Sequence, residues 1–322
     1  MKHIVLKGAA LCLAAAWFST SANAAEIRYG LWAKEGEAQY AGAQEFKRVV
    51  EEGSDHTVTI YPGNQLGTPR EMIAQLALGT TQVMSSGDPG IKEIEYLALP
   101  YLMKGMANYE AVIGSDVGAA WNDKLINERR IRLLGFMPRS PRQISANKVI
   151  NSMADLKGLK LRAPERDYYV ESLSALGANP TPMAFKEVYT ALQTGVVDGQ
   201  ENPVETIYAQ KFYEVQDGVA MVDYIVKPAY VMVSESFWSE LSDDDKALLQ
   251  KANEASTAKI MALLPEQQKK YLADMEAAGV TVTYPDTAEF IEATQSVRDT
   301  LGTEVWGEED YKAIVEMGQK DL

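Results

Sequence analysis

Between residues 27 and 86, apolar runs of two different periods alternate, and that order constrains the fold more than any other feature. Residues 27–31 have the length and composition of a strand, and 38–50 carry apolar residues at helical spacing. Residues 58–61 read as a second strand, stopped by Pro62-Gly63. Residues 70–78 are a short helix with Thr68 as its cap and Pro69 at its first position, and 83–86 are a third strand. Strand, helix, strand, helix, strand in this order implies a mostly parallel sheet with helical crossovers.

The chain then repeats this logic. Residues 97–103 are too short and apolar to classify. Helices over 109–113 and 117–128 lead to an apolar strand at 131–137. Strands at 142–149 and 156–161, a helix over 167–176 ended by Gly177, and a turn at 195–199 between helical runs 188–192 and 204–209 make a second alternating set. Residues 230–233 are a strand that returns to one set or the other. From Ser242-Asp243-Asp244-Asp245 a helical period holds to Ala277, interrupted only by Pro265. Residues 280–283 are one more strand, and the remainder is amphipathic helix. The expectation is a two-lobe α/β protein with a helical C-terminal region and a long helix between the lobes. Residues 25–141 form mainly lobe 1, 142–233 mainly lobe 2, and 234–322 the helical region with return segments.

The N-terminus predicts location. Lys2, His3 and Lys7 precede a run of small apolar residues from Gly8 to Phe18, and Ala22-Asn23-Ala24 is an A-x-A cleavage site. The run is too short to span a bilayer, which takes roughly 20 residues. A cleaved secretory signal over residues 1–24 and a periplasmic mature chain are therefore expected. Cys12, the single cysteine, leaves with that signal, so the mature chain must hold together without disulfides and has no thiol chemistry. The formal charge of −14 becomes two units more negative once Lys2 and Lys7 are removed. That balance argues against nucleic acid but not against a small anion, because a local pair of arginines outweighs a distant acidic surface.

Catalytic equipment is sparse. With the signal gone the histidine left is His56, in a polar turn where a solvated side chain is expected, so His/Cys metal clusters and histidine triads are excluded. No glycine-rich phosphate motif opens a helix. A pair of carboxylates remains conceivable among so many acids, but no pair stands out. No cofactor and no metal are expected.

Binding groups cluster between Arg142 and Pro203. Arg162 ends the run Leu159-Lys160-Leu161 ahead of Ala163-Pro164, where a guanidinium suits forked hydrogen bonding to a carboxylate, or else a surface or interlobe ion pair. Arg142 opens its strand near Arg139, and both arginines read equally as solvated. Asn202 lies between Glu201 and Pro203 after a glycine-rich turn, where it either completes the turn or offers both a donor and an acceptor. Trp32 begins the loop after the first strand. Phe185 lies near an element boundary, and Glu71 either accepts from ligand hydroxyls or favours its own helix N-terminus.

These segments resemble the DctP-type extracytoplasmic solute receptors of tripartite ATP-independent periplasmic (TRAP) transporters. The resemblance is carried by the run from Ala178 through Pro180-Thr181-Pro182-Met183-Ala184-Phe185 to Asp198-Gly199-Gln200-Glu201-Asn202-Pro203, and by Lys211-Phe212-Tyr213-Glu214-Val215-Gln216. Gly67-Thr68-Pro69-Arg70-Glu71 and Leu99-Pro100-Tyr101-Leu102 are similar too. The resemblance implies a type II-like periplasmic binding protein that closes over an organic acid and delivers it to the membrane subunits of a sodium-driven complex. By the same resemblance Arg162 forms the main carboxylate salt bridge, with Arg142 and Asn202 beside it, and Glu71, Glu165 and Phe185 line the cleft. Leu31-Trp32 stands where the family commonly has a polar pair. Glu165 replaces an asparagine of some sialic-acid receptors, and Tyr224 falls roughly where a histidine is often found.

Taken together, the expectation is a non-enzymatic receptor for an organic acid, leaning towards a sugar acid such as a uronate or aldonate. Its expected site is Arg162, Asn202, Arg142, Phe185, Glu71, Glu165, Trp32 and Tyr224. A C4-dicarboxylate or other carboxylate is the alternative ligand, and a periplasmic carboxylate-dependent hydrolase the alternative class. A monomer is expected in preference to a dimer.

Overall fold

The computed structural model describes residues 24–322; the expected signal, apart from Ala24, lies outside the described residues. The chain opens with β1 (Glu26–Gly30), α1 (Ala38–Gly53), β2 (Thr57–Tyr61), α2 (Pro69–Ala77) and β3 (Val83–Ser86). Short helices α3 (Lys92–Glu95), α4 (Met106–Ile113) and α5 (Asp116–Arg129) lead to β4 (Ile131–Met137). The middle comprises β5 (Arg142–Ala146), β6 (Lys160–Ala163), α6 (Asp167–Ala175), β7 (Asn179–Pro182), α7 (Val188–Gln193), β8 (Gly199–Pro203), α8 (Val204–Ala209) and β9 (Gly218–Ile225). The rest is β10 (Ala229–Ser234), α9 (Glu235–Glu240), α10 (Asp243–Ala277), β11 (Thr281–Thr283) and α11 (Ala288–Gln319).

Two sheets result. The first has the order β2-β1-β3-β10-β4, with β1 parallel to β2 and β3 and with β10 antiparallel to both neighbours. The second has the order β11-β9-β5-β8-β6-β7, with β6 parallel to β7 and β8 and with β5 antiparallel to β8 and β9. The chain crosses between them after β4, again after β9, and a third time through α10, which leads from β10 to β11. Residues 230–233, unassigned between lobes from the sequence, belong to the first sheet. There β10 is buried along its whole length between β3 and β4. The second sheet's central segment therefore ends at Ile225, short of residue 233.

The long α10 ties the lobes together. Ser242 caps it by accepting from the Asp245 amide at 3.1 Å, and three aspartates occupy its positive first turn. It packs along α1 and β4 of the first lobe and then reaches α8 and β11 of the second, continuing through Pro265. α11 returns against α4 and α6 and changes direction at Gly307, whose φ of 79° is a left-handed conformation that glycine adopts without strain. His56, expected in solvent, is instead buried. Its Nδ1 accepts from the Ala25 amide at 3.0 Å, and its Nε2 lies 3.4 Å from Asp245 at the start of α10. The turn is polar in sequence, but α10 covers it.

Close approach of α1 and α10 depends on Gly42, where a Cβ would sit 2.5 Å from Ile260. We expect Gly42→Leu to destabilise the fold by about 1–3 kcal/mol through overpacking, read as a lowered midpoint in urea denaturation.

Candidate functional site

Arg162 lies at the end of β6, in register with Thr181 of β7 and Gln200 of β8. It is only 4 % exposed. The chain leaving β7 bends so that the Met183 carbonyl accepts from both Nε (3.1 Å) and Nη2 (2.9 Å), and the Phe185 ring centroid lies 5.8 Å from the guanidinium carbon. Among the described residues no carboxylate is ion-paired with Arg162. Burial pulls its pKa below the ordinary arginine value, an effect that Glu201 partly offsets. A buried cation whose partners are one carbonyl and one ring face is poorly compensated. A carboxylate approaching its free N–H groups would correct that.

Arg142 has the opposite character. It begins β5, opposite Pro203 and Ile225, and is clamped by Glu201 of β8. Its Nη2 donates to Glu201 Oε1 (2.6 Å), to the Glu201 carbonyl (2.9 Å) and to Asn202 Oδ1 (3.1 Å), while Nε pairs with Glu201 Oε2. The Tyr224 hydroxyl donates to the same carboxylate, and the Tyr169 ring lies 5.1 Å from the guanidinium carbon. Burial opposes the charge on Arg142, yet Glu201 more than compensates and holds its pKa well above the usual value. Asn202 Nδ2 donates to Gln200 Oε1 at 2.6 Å.

The structure thus brings Arg142, Asn202 and Tyr224 into one buried network around Glu201, a residue the sequence reading quoted only within a motif. Arg162 and Phe185 sit together beside it. Trp32 is half-buried, and the Arg139 guanidinium lies 5.5 Å from its ring centroid. Arg139, read as solvated alongside Arg142, is partly buried, with Nη2 donating to Thr206 (2.9 Å). Glu71 is exposed and forms a capping box with Thr68, whose amide donates to Oε2 at 2.7 Å. Glu165 is exposed beside Arg166, and Arg166 reaches the other lobe to pair with Asp88 (3.2 Å) and Glu95 (2.8 Å). An open cavity of about 710 Å³ at that seam is lined by Arg70, Lys92, Glu93, Glu95, Lys124 and Arg166 among others. Its charges are of both signs, and Arg166 and Lys124 are already paired with Glu95 and Glu93.

Two α/β lobes joined by three crossings of the chain have the make-up of a two-lobe solute-binding receptor. The comparisons agree. The chain belongs to the family described as bacterial extracellular solute-binding protein, family 7 (DctP), whose model matches residues 29–304. It is 38 % identical to the sialic acid-binding periplasmic protein SiaP of Vibrio cholerae over 86 % of this chain and 88 % of that one. It is 33 % identical to the C4-dicarboxylate-binding periplasmic protein DctP of Rhodobacter capsulatus, over 77 % of this chain and 76 % of that one. A TRAP periplasmic solute-binding protein from Roseobacter denitrificans, solved with bound L-galactonate, superposes with a TM-score of 0.78 at 31 % identity, covering 92 % of this chain and 99 % of that one. This is a periplasmic, non-catalytic receptor that delivers a small organic acid to a TRAP transporter.

The two arginines should respond differently to mutation. Glu201→Ala strands the Arg142 charge in the interior and is expected to cost about 3–5 kcal/mol in chemical denaturation. Arg162→Ala removes a cation with no acidic partner, so its unfolding midpoint should stay close to wild type.

Proposed function

We propose that this protein is the receptor for a sugar acid, a uronate or aldonate, held by its carboxylate at Arg162. The observation that carries the reading is the buried Arg162 guanidinium, bonded to a single backbone carbonyl and to no carboxylate. Asn202 Nδ2 has a second hydrogen beyond the one given to Gln200, and Arg142 Nη1 is a donor that Glu201 and Asn202 do not take. Both are suited to the remaining carboxylate lone pairs. Phe185, 44 % exposed, offers apolar surface to the carbon chain. Glu71, Glu165, Trp32 and Tyr224 complete the proposed lining, with Tyr224 acting through Glu201. The L-galactonate bound by the Roseobacter protein is the ligand class this set fits.

A C4-dicarboxylate is the second reading, and one observation favours it besides the Rhodobacter relative. Lys227, on the second crossing, is 6 % exposed, and its ammonium bonds to the Tyr168 hydroxyl (2.8 Å) without a carboxylate partner. Such a cation is suited to a second carboxylate.

A thermal-shift screen over uronates, aldonates, C4-dicarboxylates, aromatic acids and amino acids separates the two. Stabilisation by sugar acids is expected, and stabilisation by dicarboxylates alone would overturn the reading. With the best ligand, calorimetry on Arg162→Ala should show an affinity loss of roughly 100-fold or more. Unchanged affinity would remove Arg162 from the anchor.

A further inference from the structure

A second polar site lies where the β5–β8 pair runs on past its last paired residues. Beyond Arg142 and Pro203, which face each other in register, the chains continue as Ser140-Pro141 and Val204-Glu205, and the Ser140 amide donates to Glu205 Oε1 at 3.1 Å. Glu205 is 4 % exposed, and its other carboxylate oxygen, Oε2, is buried with no hydrogen-bond partner. Arg139, from the same crossing, leaves a buried Nε equally unpartnered. Each group feels the other's charge, yet no ion pair forms between them. Burial pushes the Glu205 carboxyl above its ordinary value, and Arg139 pulls it back only in part. Trp32 of the first lobe packs on the Arg139 guanidinium, and Thr206 fixes its Nη2.

An unpaired donor and an unpaired acceptor, both charged, are complementary to a hydroxyl group, which accepts from one and donates to the other. A second carboxylate fits poorly, because Glu205 repels it. The site is also set at a distance from the anchor. Arg162 is in register with Gln200, and from Gln200 to Pro203 the strand advances roughly 10 Å. An elongated polyhydroxy acid reaches across that span, and a short hydroxy acid does not. The charge of Arg142 acts on both Arg139 and Arg162, so Arg142 is near both sites.

We infer that Arg139 and Glu205, backed by Trp32, form a hydroxyl-reading subsite that selects long polyhydroxy acids over short or dicarboxylic ones. This rests on the sugar-acid reading of the Arg162 site and names the residues that enforce it.

The test is calorimetry with L-galactonate and with lactate as probes, on wild type, Arg139→Gln, Glu205→Gln and the double variant. Wild-type binding of L-galactonate reports on the sugar-acid reading itself, and its absence would end both proposals. Given binding, each single variant should weaken L-galactonate by roughly 10- to 100-fold and leave the weaker lactate affinity unchanged. The double variant should lose little more than either single one, because both groups hold the same hydroxyl. An unchanged L-galactonate affinity, or equal losses for both acids, overturns the subsite while leaving the Arg162 anchor standing. Melting curves for each variant separate a folding defect from a binding one, and Arg139→Lys serves as a second probe should Arg139→Gln fail to fold.

Discussion

The buried pair between Arg142 and Glu201 is the interaction on which the rest of the site depends. It joins β5 to β8 in the middle of the second sheet and consumes the only carboxylate bonded within that network. Taking two charges out of water is costly, and the cost is recovered only when geometry is good and the remaining donors and acceptors are satisfied. Here Tyr224 and the Glu201 carbonyl supply those additional bonds, with Asn202 as a further acceptor. Because Glu201 is committed to Arg142, Arg162 on the neighbouring strand is left without a counter-ion. This unequal sharing is what the proposed anion anchor rests on.

The fold makes that arrangement compatible with capture and release. The second sheet holds the anchor, the first contributes Trp32 and the acids Asp88 and Glu95, and the two meet through the crossings, the Arg166 ion pairs and α10. An apolar cluster also runs across the seam, joining Tyr96, Phe136 and Tyr230 of the first lobe to Tyr168, Tyr169 and Tyr224 of the second. The partly exposed Arg166 ion pairs beside it cost little to break and remake.

Much of this was legible from residue order. The alternation of strand and helix periods placed β1 to β3 and the second alternating set, while the Leu161-Arg162-Ala163-Pro164 segment singled out Arg162 and the P-T-P-M-A-F to D-G-Q-E-N-P run singled out Asn202. What was not legible has a common cause. Glu201 looked like part of a motif, Arg139 like a solvated neighbour and His56 like a loop residue, and each is covered by segments distant in sequence. Glu71 had two readings of equal chemical sense; the Thr68 cap takes its Oε2, a purely local interaction, and leaves Oε1 to the proposed lining.

The sequence alone determined the class of fold, and its family-like segments pointed to a small organic acid as ligand. Local periodicity dictates which segments become strands and helices, and the lack of cysteine and of all but one mature histidine removes thiol and imidazole chemistry wherever the side chains fall. Only the tertiary structure decided which charges are paired. Arg142 and Arg162 lie on the two strands that flank β8, and nothing in the residue order says which of them takes the carboxylate of Glu201. Burial and strand register give Glu201 to one and withhold it from the other, and in an interior poor in water that difference separates a structural ion pair from a proposed binding site.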